Sequence, residues 1–355
     1  MRIADMTWRH YRIAMKDPDW QTAGGRFPAI PGLFVFLHGE DGAVGRGTAI
    51  AQERHGLGAD VVAAYLAELK PRLVGQEAAA ITARMLDLER LVQVPNVVRA
   101  SVDCALHELN AVSRNVPLWS LLGGPVHRSI PQARMVPVKT PAEMAAIARG
   151  FVAEGYRFLK VKAIGDAAVD IGRIAGVRDA VGRDIRLMID ANGGFALKDA
   201  LAILPALQEL GVEIFEQPVA AGDLDGMRRL RDAGRILIEA DEAAASIPVL
   251  RQILAMSAAD LVSLKLPKLG GMRGTLQAAC LCDAAGIGYR LGTSFGSGLL
   301  QAQSLVLAGC LPNLVWASEH AVFADYADDP CSGLTVTGGA MSVPDAPDCG
   351  VVLSD

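Results

Sequence analysis

The sequence has few aromatic residues, no paired-cysteine motif and no excess of positive charge. Phe, Trp and Tyr make up 5% of the 355 residues, so we expect Ala, Val, Leu and Ile to fill the core. The six cysteines lack C-x-x-C spacing, which argues against a zinc ribbon or a thioredoxin-like redox site. Acidic residues outnumber basic ones by 39 to 34, which argues against nucleic acid or an anionic membrane as a partner.

Long apolar runs are also missing from the N-terminus, where charged residues such as Arg2, Asp5 and Arg9 interrupt every stretch. We therefore expect neither a signal peptide nor a transmembrane span. With 51% hydrophobic and 21% charged residues, the chain is too apolar for a disordered protein. These features predict a cytoplasmic globular protein with reduced cysteines.

The N-terminal third of the chain does not repeat, and it predicts a small α+β domain. Alternating apolar residues predict strands, and apolar residues at helical spacing predict helices. The predicted strands and helices are 33–38, 43–50, 59–73 and 97–114. Prolines and glycines in 117–125 then end the region.

From about residue 130, short β-branched runs alternate with alanine-rich helical segments, and strands begin about every 25 residues. The predicted strands are 133–138, 158–163, 185–190, 212–216, 236–240, 260–265, 287–291 and 314–317. The predicted helices are 141–154, 167–181, 197–210, 222–233, 246–256, 273–285 and 298–309. Eight βα units fit a closed parallel barrel. An open doubly wound sheet is the alternative, but Lys139-Thr140-Pro141 stands where its glycine-rich dinucleotide loop would follow the first strand.

Six charged side chains stand where predicted strands end. They are Lys160, Lys162, Asp190, Glu216, Asp241 and Lys265, and the last four are spaced 24 to 26 residues apart. In a barrel such positions face one mouth, where active sites form. Three converging carboxylates repel one another unless a cation joins them, and all-oxygen ligands favour Mg²⁺ over Zn²⁺.

The lysines flank the acidic row on the second and sixth strands. A free lysine is a poor base at neutral pH, but a neighbouring cation disfavours its ammonium form. Lys160, two residues from Lys162, and a nearby dication would lower the pKa of Lys162 toward that of a useful base. Another interpretation is that the six residues only form ion pairs that cap the barrel.

Together with Asn192, Gln217-Pro218, Glu242 and Gly270-Gly271, these residues resemble the enolase superfamily, and specifically its muconate-lactonizing subgroup. Segments 102–106 and 121–124 are similar to that family's capping-domain helix and junction. The resemblance implies an α/β protein with a modified, enolase-like TIM-type (β/α) barrel. The capping domain would be 1–126, the catalytic barrel 127–329, and the tail 330–355 would pack back on the capping domain.

The resemblance also implies a role for each matched residue. Asp190, Glu216 and Asp241 would bind one Mg²⁺ per subunit, which holds the carboxylate of a small-molecule substrate. Lys162 and Lys265 would move the α-proton on opposite faces through an enediolate, and Lys160 would help hold the carboxylate. Asn192 and Glu242 would orient the ligands. Because barrel enzymes of this kind often associate, we expect a homo-oligomer.

Substrate contacts are predicted from the loops at the mouth. The mandelate racemase branch would place a histidine near 292–295, where this chain has none. Dipeptide epimerases carry two carboxylates after the eighth strand to hold a free ammonium, and Ser318 and His320 stand at those positions. The candidate substrate residues are Trp20, Asn192, Ser294, Ser297, Glu319 and His320. Trp20 and Phe27 could close an apolar lid, or they could simply pack the two domains together.

Two lysines on opposite faces predict a racemase or epimerase acting on an N-substituted amino acid or a related carboxylate. The alternative keeps the enediolate but uses one lysine as the base, as in a cycloisomerase or a β-eliminating dehydratase. Two further alternatives are a non-catalytic metal-binding protein and a phosphate-binding barrel that uses the glycines of 292–298.

Overall fold

The computed structural model describes residues 1–91 and 93–354. Within that part of the chain, no helix combines the length and the apolar character needed to cross a membrane. The buried apolar residues described there form three clusters. A large one includes the barrel, a second lies between the N-terminal sheet and its helices, and a small third one includes Met188, Ile214 and Trp316.

The N-terminal region is an antiparallel sheet covered by helices, which confirms the predicted α+β character. Its strands follow the order β1-β4-β5, and a short hairpin (β2, β3) lies between β1 and β4. The strands are β1 (Ile3–Ala14), β2 (Gln21–Thr22), β3 (Gly25–Arg26), β4 (Ala29–Gly39) and β5 (Val44–Ile50). The helices are α1 (Ala59–Leu73), α2 (Ile81–Leu91) and α3 (Asn96–Arg114).

A parallel sheet of seven strands forms the wall of the second region, in the order β13-β12-β11-β10-β9-β8-β7. A short strand, β6 (Ser129–Pro131), precedes it. The seven are β7 (Ala133–Val136), β8 (Phe158–Lys162), β9 (Arg186–Asp190), β10 (Val212–Glu216), β11 (Leu237–Ala240), β12 (Leu261–Leu264) and β13 (Gly288–Leu291). Each strand pairs with the next one along the chain, as repeated βα units require. The predicted strands are confirmed to within two residues, and no dinucleotide loop follows β7.

The eighth predicted strand, 314–317, differs from the other seven because it forms no continuous ladder. Isolated parallel bridges join Leu314 to Tyr289 on one edge strand, and Ser318 to Gln132 beside the other. The Val315 amide donates to the Tyr289 carbonyl at 3.0 Å, and the Ala133 amide donates to the Ser318 carbonyl at 2.7 Å. The segment therefore links the two edges of the sheet by alternating between them, which leaves too few consecutive bonds for a regular strand.

Helices follow the strands, as predicted, and several begin at side-chain caps. Thr140 forms a capping box with Glu143, and the Asp166, Asp223 and Ser246 side chains accept from backbone amides in the first helical turn. The helices are α4 (Pro141–Ala153), α5 (Ala167–Val181), α6 (Leu197–Glu209), α7 (Leu224–Asp232), α8 (Ile247–Met256), α9 (Leu266–Leu269), α10 (Met272–Ala285) and α11 (Gly298–Cys310). The short helix α9 was not predicted.

The C-terminal tail contacts both regions. Its strands are β14 (Cys331–Ser332), β15 (Ala340–Ser342) and β16 (Val352–Leu353), and β15 pairs with β6. Arg46 on β5 donates to the carbonyl oxygens of Val351 at 2.8 Å and Asp348 at 2.6 Å, and it also pairs with the buried Glu108 on α3. These contacts join the tail to the capping domain. The domain limits at 126/127 and 329/330 stay predictions.

The helix α3 lies directly on β5 because two glycines remove the side chains between them. A Cβ atom at Gly47 would overlap the carbonyl oxygen of Ser101, and one at Gly45 would overlap that of Ala105. Ser101 and Ala105 are four residues apart and so share one face of α3. The close approach of helix to strand therefore depends on this glycine pair.

We predict that Gly47→Ala lowers the free energy of unfolding by about 1–3 kcal/mol, because the added methyl group overpacks the α3–β5 contact. Urea denaturation monitored by circular dichroism would measure the loss. Gly150→Ala is the control, since a Cβ there meets no atom within 4 Å and alanine favours the helix interior. Equal stability of both variants would show that α3 can move away from β5 without cost.

Candidate active site

Three acidic strand ends lie side by side at one end of the sheet, between the two strands that carry lysines. In the register of the sheet Lys162 pairs with Asp190, and Asp190 pairs with Glu216. Asp241 follows β11, the next strand, and Lys265 follows β12. The strand order thus places the acids between Lys162 and Lys265, as the sequence predicted for a barrel mouth.

The loop after β10 holds Asp241 in place. Gln217 has a positive φ of 36°, and its side-chain oxygen accepts from the backbone amides of Asp241 and Ala243 at 3.0 Å each. Its side-chain nitrogen donates to the carbonyl of Val219 at 2.8 Å. The buried Gln217 side chain therefore fixes the backbone from which the Asp241 carboxylate extends.

Lys160 and Lys162 contact the same carboxylate oxygen. The Lys162 ammonium donates to Asp190 Oδ2 at 2.5 Å, and the Lys160 ammonium lies 3.0 Å from that atom. Lys160 also lies 2.7 Å from Glu216 Oε2 and 2.9 Å from Glu319 Oε1. All five side chains are buried, so these contacts are shielded from water.

On the other side of the acidic row, two lysines hold Asp241. Lys265 donates to Asp241 Oδ2 at 2.6 Å, and Lys268 donates to Asp241 Oδ1 at 2.5 Å. Lys268 also donates to the Asp241 backbone carbonyl at 2.7 Å. Lys268 lies three residues after Lys265 in sequence. The short helix α9 turns the chain at this point, so that both lysines reach the same carboxylate.

The pKa values follow from burial and from these contacts. Burial alone raises the pKa of Asp190, but Lys160 and Lys162 outweigh it and lower the pKa to about 2. Burial likewise lowers the pKa of Lys265, and Asp241 more than reverses that effect. Glu216 behaves differently, because burial and the neighbouring Asp190 raise its pKa well above the usual range. The acids are therefore close enough to repel one another, and the lysines compensate for that repulsion.

Whether a cation fits depends on the oxygens that these lysines leave unused. As the side chains lie, residues 1–91 and 93–354 contain no group of three or more His, Cys, Asp or Glu arranged to hold a metal ion. Glu216 Oε1, however, is buried and has no hydrogen-bond partner, and it sits between two other carboxylate-bearing strands. An unpaired buried carboxylate oxygen beside two mutually repelling acids suits a hard dication, so the donor set fits Mg²⁺.

A second layer of charges lies one step deeper in the barrel, and sequence reasoning missed most of it. Arg290 on β13 contacts Glu216, Glu239 and Glu319, and the side chains of all four are buried. Glu239 could have been found, because Glu239-Ala-Asp241 has the same alternation as Lys160-Val-Lys162. Arg290 could not have been found in the same way, because the residue two positions after it is Gly292, which has no charge.

Asn192 and Glu242, for which an orienting role is predicted, lie next to the acidic row. Asn192, with a φ of 45°, donates from its amide nitrogen to Glu242 Oε1 at 2.9 Å, and its amide oxygen lies 3.4 Å from the Lys162 ammonium. Its backbone amide donates to Asp190 Oδ1 at 2.9 Å. Asn192 thus links the Lys162–Asp190 pair to the residue that follows Asp241.

The remaining predicted substrate residues are more dispersed. Glu319 is in the charged network with Lys160 and Arg290. Ser294 lines a small pocket with Gly292, beside Lys265. Ser297 instead contacts Thr48 of the N-terminal sheet, with 3.0 Å between the hydroxyl oxygens.

His320 faces α11, where its Nε2 lies 3.0 Å from the Ser304 hydroxyl. Burial lowers the pKa of His320 to about 3, although Glu319 opposes this shift, so the ring is neutral at physiological pH. Its Nδ1 and the Ser318 hydroxyl are buried and have no partner within the described chain. Neither residue supplies a negative charge at this end of the sheet.

Trp20 belongs to an aromatic cluster that joins the N-terminal hairpin to the barrel. Its ring centroid lies 4.9 Å from that of Phe295, and Phe27 stacks on Phe295 at 5.7 Å. The Arg54 guanidinium lies over Phe27 at 4.5 Å and donates to the backbone of Gly24 and Arg26. The cluster therefore closes the hairpin onto the loop after β13, and Trp20 is almost completely buried.

Two protein-family models match most of the chain. Residues 143–355 match the family model described as enolase C-terminal domain-like. Residues 13–123 match the N-terminal domain of mandelate racemase / muconate lactonizing enzyme. Together the two models include all the charged residues at the mouth.

Three relatives illustrate the range of named activities. The L-Ala-D/L-Glu epimerase of Bacillus subtilis is 31% identical over 288 residues, 80% of this chain and 78% of that protein. The N-succinyl-L-Arg/Lys racemase of Bacillus cereus is 27% identical, over 87% of this chain and 84% of its own. The chloromuconate cycloisomerase CbnB of Cupriavidus necator is 31% identical, over 71% and 68%. The solved structure of the first of these, in a substrate-liganded complex, superposes with a TM-score of 0.95 and 27% identity and covers 100% of both chains.

Proposed function

The chain belongs to the mandelate racemase/muconate lactonizing enzyme family of the enolase superfamily, and we propose that it removes the proton α to a substrate carboxylate. The observation that carries this proposal is the strand order, in which Asp190, Glu216 and Asp241 lie between Lys162 and Lys265. A site built in this way has acids for a cation and a possible base on either flank.

We propose that Asp190, Glu216 and Asp241 hold Mg²⁺. A proton beside an ionised carboxylate is only weakly acidic, because its loss leaves two negative charges on one group. When bound, the dication would supply the positive charge that stabilises this enediolate. Cation binding would also neutralise the acids that now hold the lysines.

The lysines would then act on the substrate. Lys160, which touches two of the proposed ligands, would turn to the substrate carboxylate. Lys162 and Lys265 would exchange the α-proton from opposite sides, since three strands separate the strands that carry or precede them. The aromatic cluster of Trp20, Phe27 and Phe295 would exclude water from the charged intermediate.

We propose an N-substituted amino acid, or a related carboxylate, as the substrate, and racemisation or epimerisation as the outcome. Ser318 and the neutral His320 offer no negative charge to a free ammonium group, whereas their unpaired polar atoms suit a neutral hydrogen-bonding group. One relative is named N-succinyl-L-Arg/Lys racemase, and the N-succinyl group of that name is an acyl substituent on the amino acid nitrogen. A homo-oligomer stays a prediction.

A cycloisomerase is the second candidate. The buried carboxylate of Glu319, held by Lys160 and Arg290, would give this site a further acidic group, and one relative is a chloromuconate cycloisomerase. Such an enzyme needs only one lysine as base, so it can be distinguished from a racemase by removing the lysines singly.

We predict that Mg²⁺ stabilises the protein and that Asp241→Asn abolishes this effect together with turnover. A ligand at 100 times its Kd adds about 2.7 kcal/mol to the free energy of unfolding. Differential scanning calorimetry with and without Mg²⁺ would measure the shift. Asp260→Asn is the matched control. Asp260 lies just before β12, and its carboxylate accepts from the Ile238 amide at the end of the sheet opposite to the proposed Mg²⁺ ligands. A shift that survives in Asp241→Asn contradicts the ligand assignment.

We predict that the wild-type protein exchanges the α-proton of N-acyl amino acids for solvent deuterium in both stereoisomers. Lys162→Ala and Lys265→Ala should each lose exchange on one stereoisomer by about 10²-fold or more, since general bases contribute about 10²–10⁴-fold. Proton NMR of each enantiomer in D₂O follows the exchange. Mass spectrometry detects the loss of water that a β-eliminating dehydratase would cause instead.

Lys198→Ala, on the exposed face of α6, serves as the control for this experiment. Exchange on only one stereoisomer, lost in Lys162→Ala and retained in Lys265→Ala, would support the single-base cycloisomerase instead. Absence of exchange across a library of carboxylates, in protein shown to bind Mg²⁺, would refute α-proton abstraction.

A further inference from the structure

Arg290 is the largest fully buried side chain in the described part of the protein. It lies on β13 and faces the inside of the barrel, where its guanidinium meets three carboxylates. The Nη1 atom donates to Glu319 Oε1 at 2.5 Å, and Nη2 donates to Glu216 Oε2 at 2.7 Å. The Nε and Nη2 atoms both donate to Glu239 Oε2 at 3.0 Å.

Arg290 and Lys160 hold the same two oxygen atoms. Glu216 Oε2 accepts from Arg290 at 2.7 Å and lies 2.7 Å from the Lys160 ammonium. Glu319 Oε1 likewise lies 2.5 Å from Arg290 and 2.9 Å from Lys160. The two cations and two carboxylates thus form a closed ring of alternating charge, in which each carboxylate would keep one cation if the other left.

The ring distinguishes the two oxygens of Glu216. Oε2 is held by both cations, whereas Oε1 is buried without a partner. A guanidinium is planar and keeps its charge, so it fixes the plane of a carboxylate better than an ammonium does. Arg290, together with Lys160, therefore leaves Oε1 as the unpaired oxygen of Glu216.

We propose that Arg290 is a positioning residue for the cation site. It holds Glu216 by one oxygen so that the other is presented to Mg²⁺, and it remains the counter-ion of Glu216 and Glu319 when Lys160 turns to the substrate. Glu239, on the strand that leads to Asp241, accepts from the Nε and Nη2 atoms of Arg290 and so fixes the orientation of the guanidinium. This inference rests on the proposed function, because it concerns the same cation.

The alternative is a purely structural ion network. Buried ion pairs contribute little net stability compared with apolar residues, but removal of a single partner leaves an uncompensated charge. A structural network would therefore lose stability in a single variant and regain it once the charge balance is restored, without any effect on the cation. Stability and Mg²⁺ affinity must be measured separately.

The test is isothermal calorimetry of Mg²⁺ binding to Arg290→Met and to the double variant Glu239→Gln/Arg290→Gln. The double variant has the net charge of the wild type, so it should unfold at a higher temperature than Arg290→Met. Both variants should bind Mg²⁺ about 10–100-fold more weakly, as is found when partners that orient metal ligands are removed. Arg290→Lys should recover only part of the affinity, because an ammonium lacks the planar fork.

Arg134→Met is the matched control. Arg134 is also a buried arginine on a barrel strand, but it pairs with Asp325 and the Ala321 carbonyl, and it contacts none of the acids at the mouth. This variant should lose stability and keep wild-type Mg²⁺ affinity. The comparison separates a loss of affinity specific to the site from a general loosening of the barrel.

Wild-type affinity in the double variant would overturn the proposal and leave Arg290 a structural residue. Unchanged affinity in Arg290→Met would do the same. Failure of the wild-type protein to bind Mg²⁺ at all would instead refute the proposed function. If Arg290→Met does not fold, the double variant alone decides, because its charge balance is that of the wild type.

Discussion

The need to neutralise buried charge governs the whole end of the barrel where the strands terminate. Five basic and six acidic side chains meet there, most of them without contact to water: Lys160, Lys162, Lys265, Lys268 and Arg290 against Asp190, Glu216, Glu239, Asp241, Glu242 and Glu319. Isolated charges in such surroundings would cost several kcal/mol each. The order of the strands places five of these six carboxylates in ion pairs with the cations, and Glu242 accepts from Asn192 instead. The interleaved pattern thus offsets most of the cost of burying these charges.

The barrel itself could be predicted because each βα unit repeats the same signal. A short β-branched run followed by a helical segment recurs with nearly constant spacing, and the five strands β8 to β12 also end at or just before a charged residue. The parallel sheet follows from that repeat. The eighth strand could not be predicted correctly in the same way. Its backbone hydrogen bonds join it to Tyr289 on β13 at one edge of the sheet and, through Ser318, to Ala133 on β7 at the other edge. No pattern in the local sequence indicates that a segment divides its hydrogen bonds between two partner strands.

The charged residues at the barrel mouth could be predicted for a similar reason, whereas the deeper layer around Arg290 could not. Side chains at strand ends are marked by the sudden appearance of a charge after apolar residues, as at Asp190 and Glu216. Arg290 has no such mark, because the residue that follows it toward the mouth on the same face is Gly292. Lys268 was missed because its place depends on α9, a helix of only four residues. The aromatic cluster of Trp20, Phe27 and Phe295 joins residues far apart in sequence, and Phe295 reaches it from a backbone with a φ of 55°, which its residue type does not suggest.

The balance of charges also bears on the substrate. With every group in the network ionised, six carboxylates exceed five cations by one negative charge. A bound dication and a single substrate carboxylate bring the sum to zero, and the lysine that gives up its proton to act as the base leaves one negative charge. The total charge therefore does not select the substituent on the substrate nitrogen, and the placement of the charges does. Neither Ser318 nor the neutral His320 supplies a negative charge to pair with a free ammonium. A substrate whose nitrogen is acylated needs no such partner, which favours a neutral substituent beside the carbon that loses its proton.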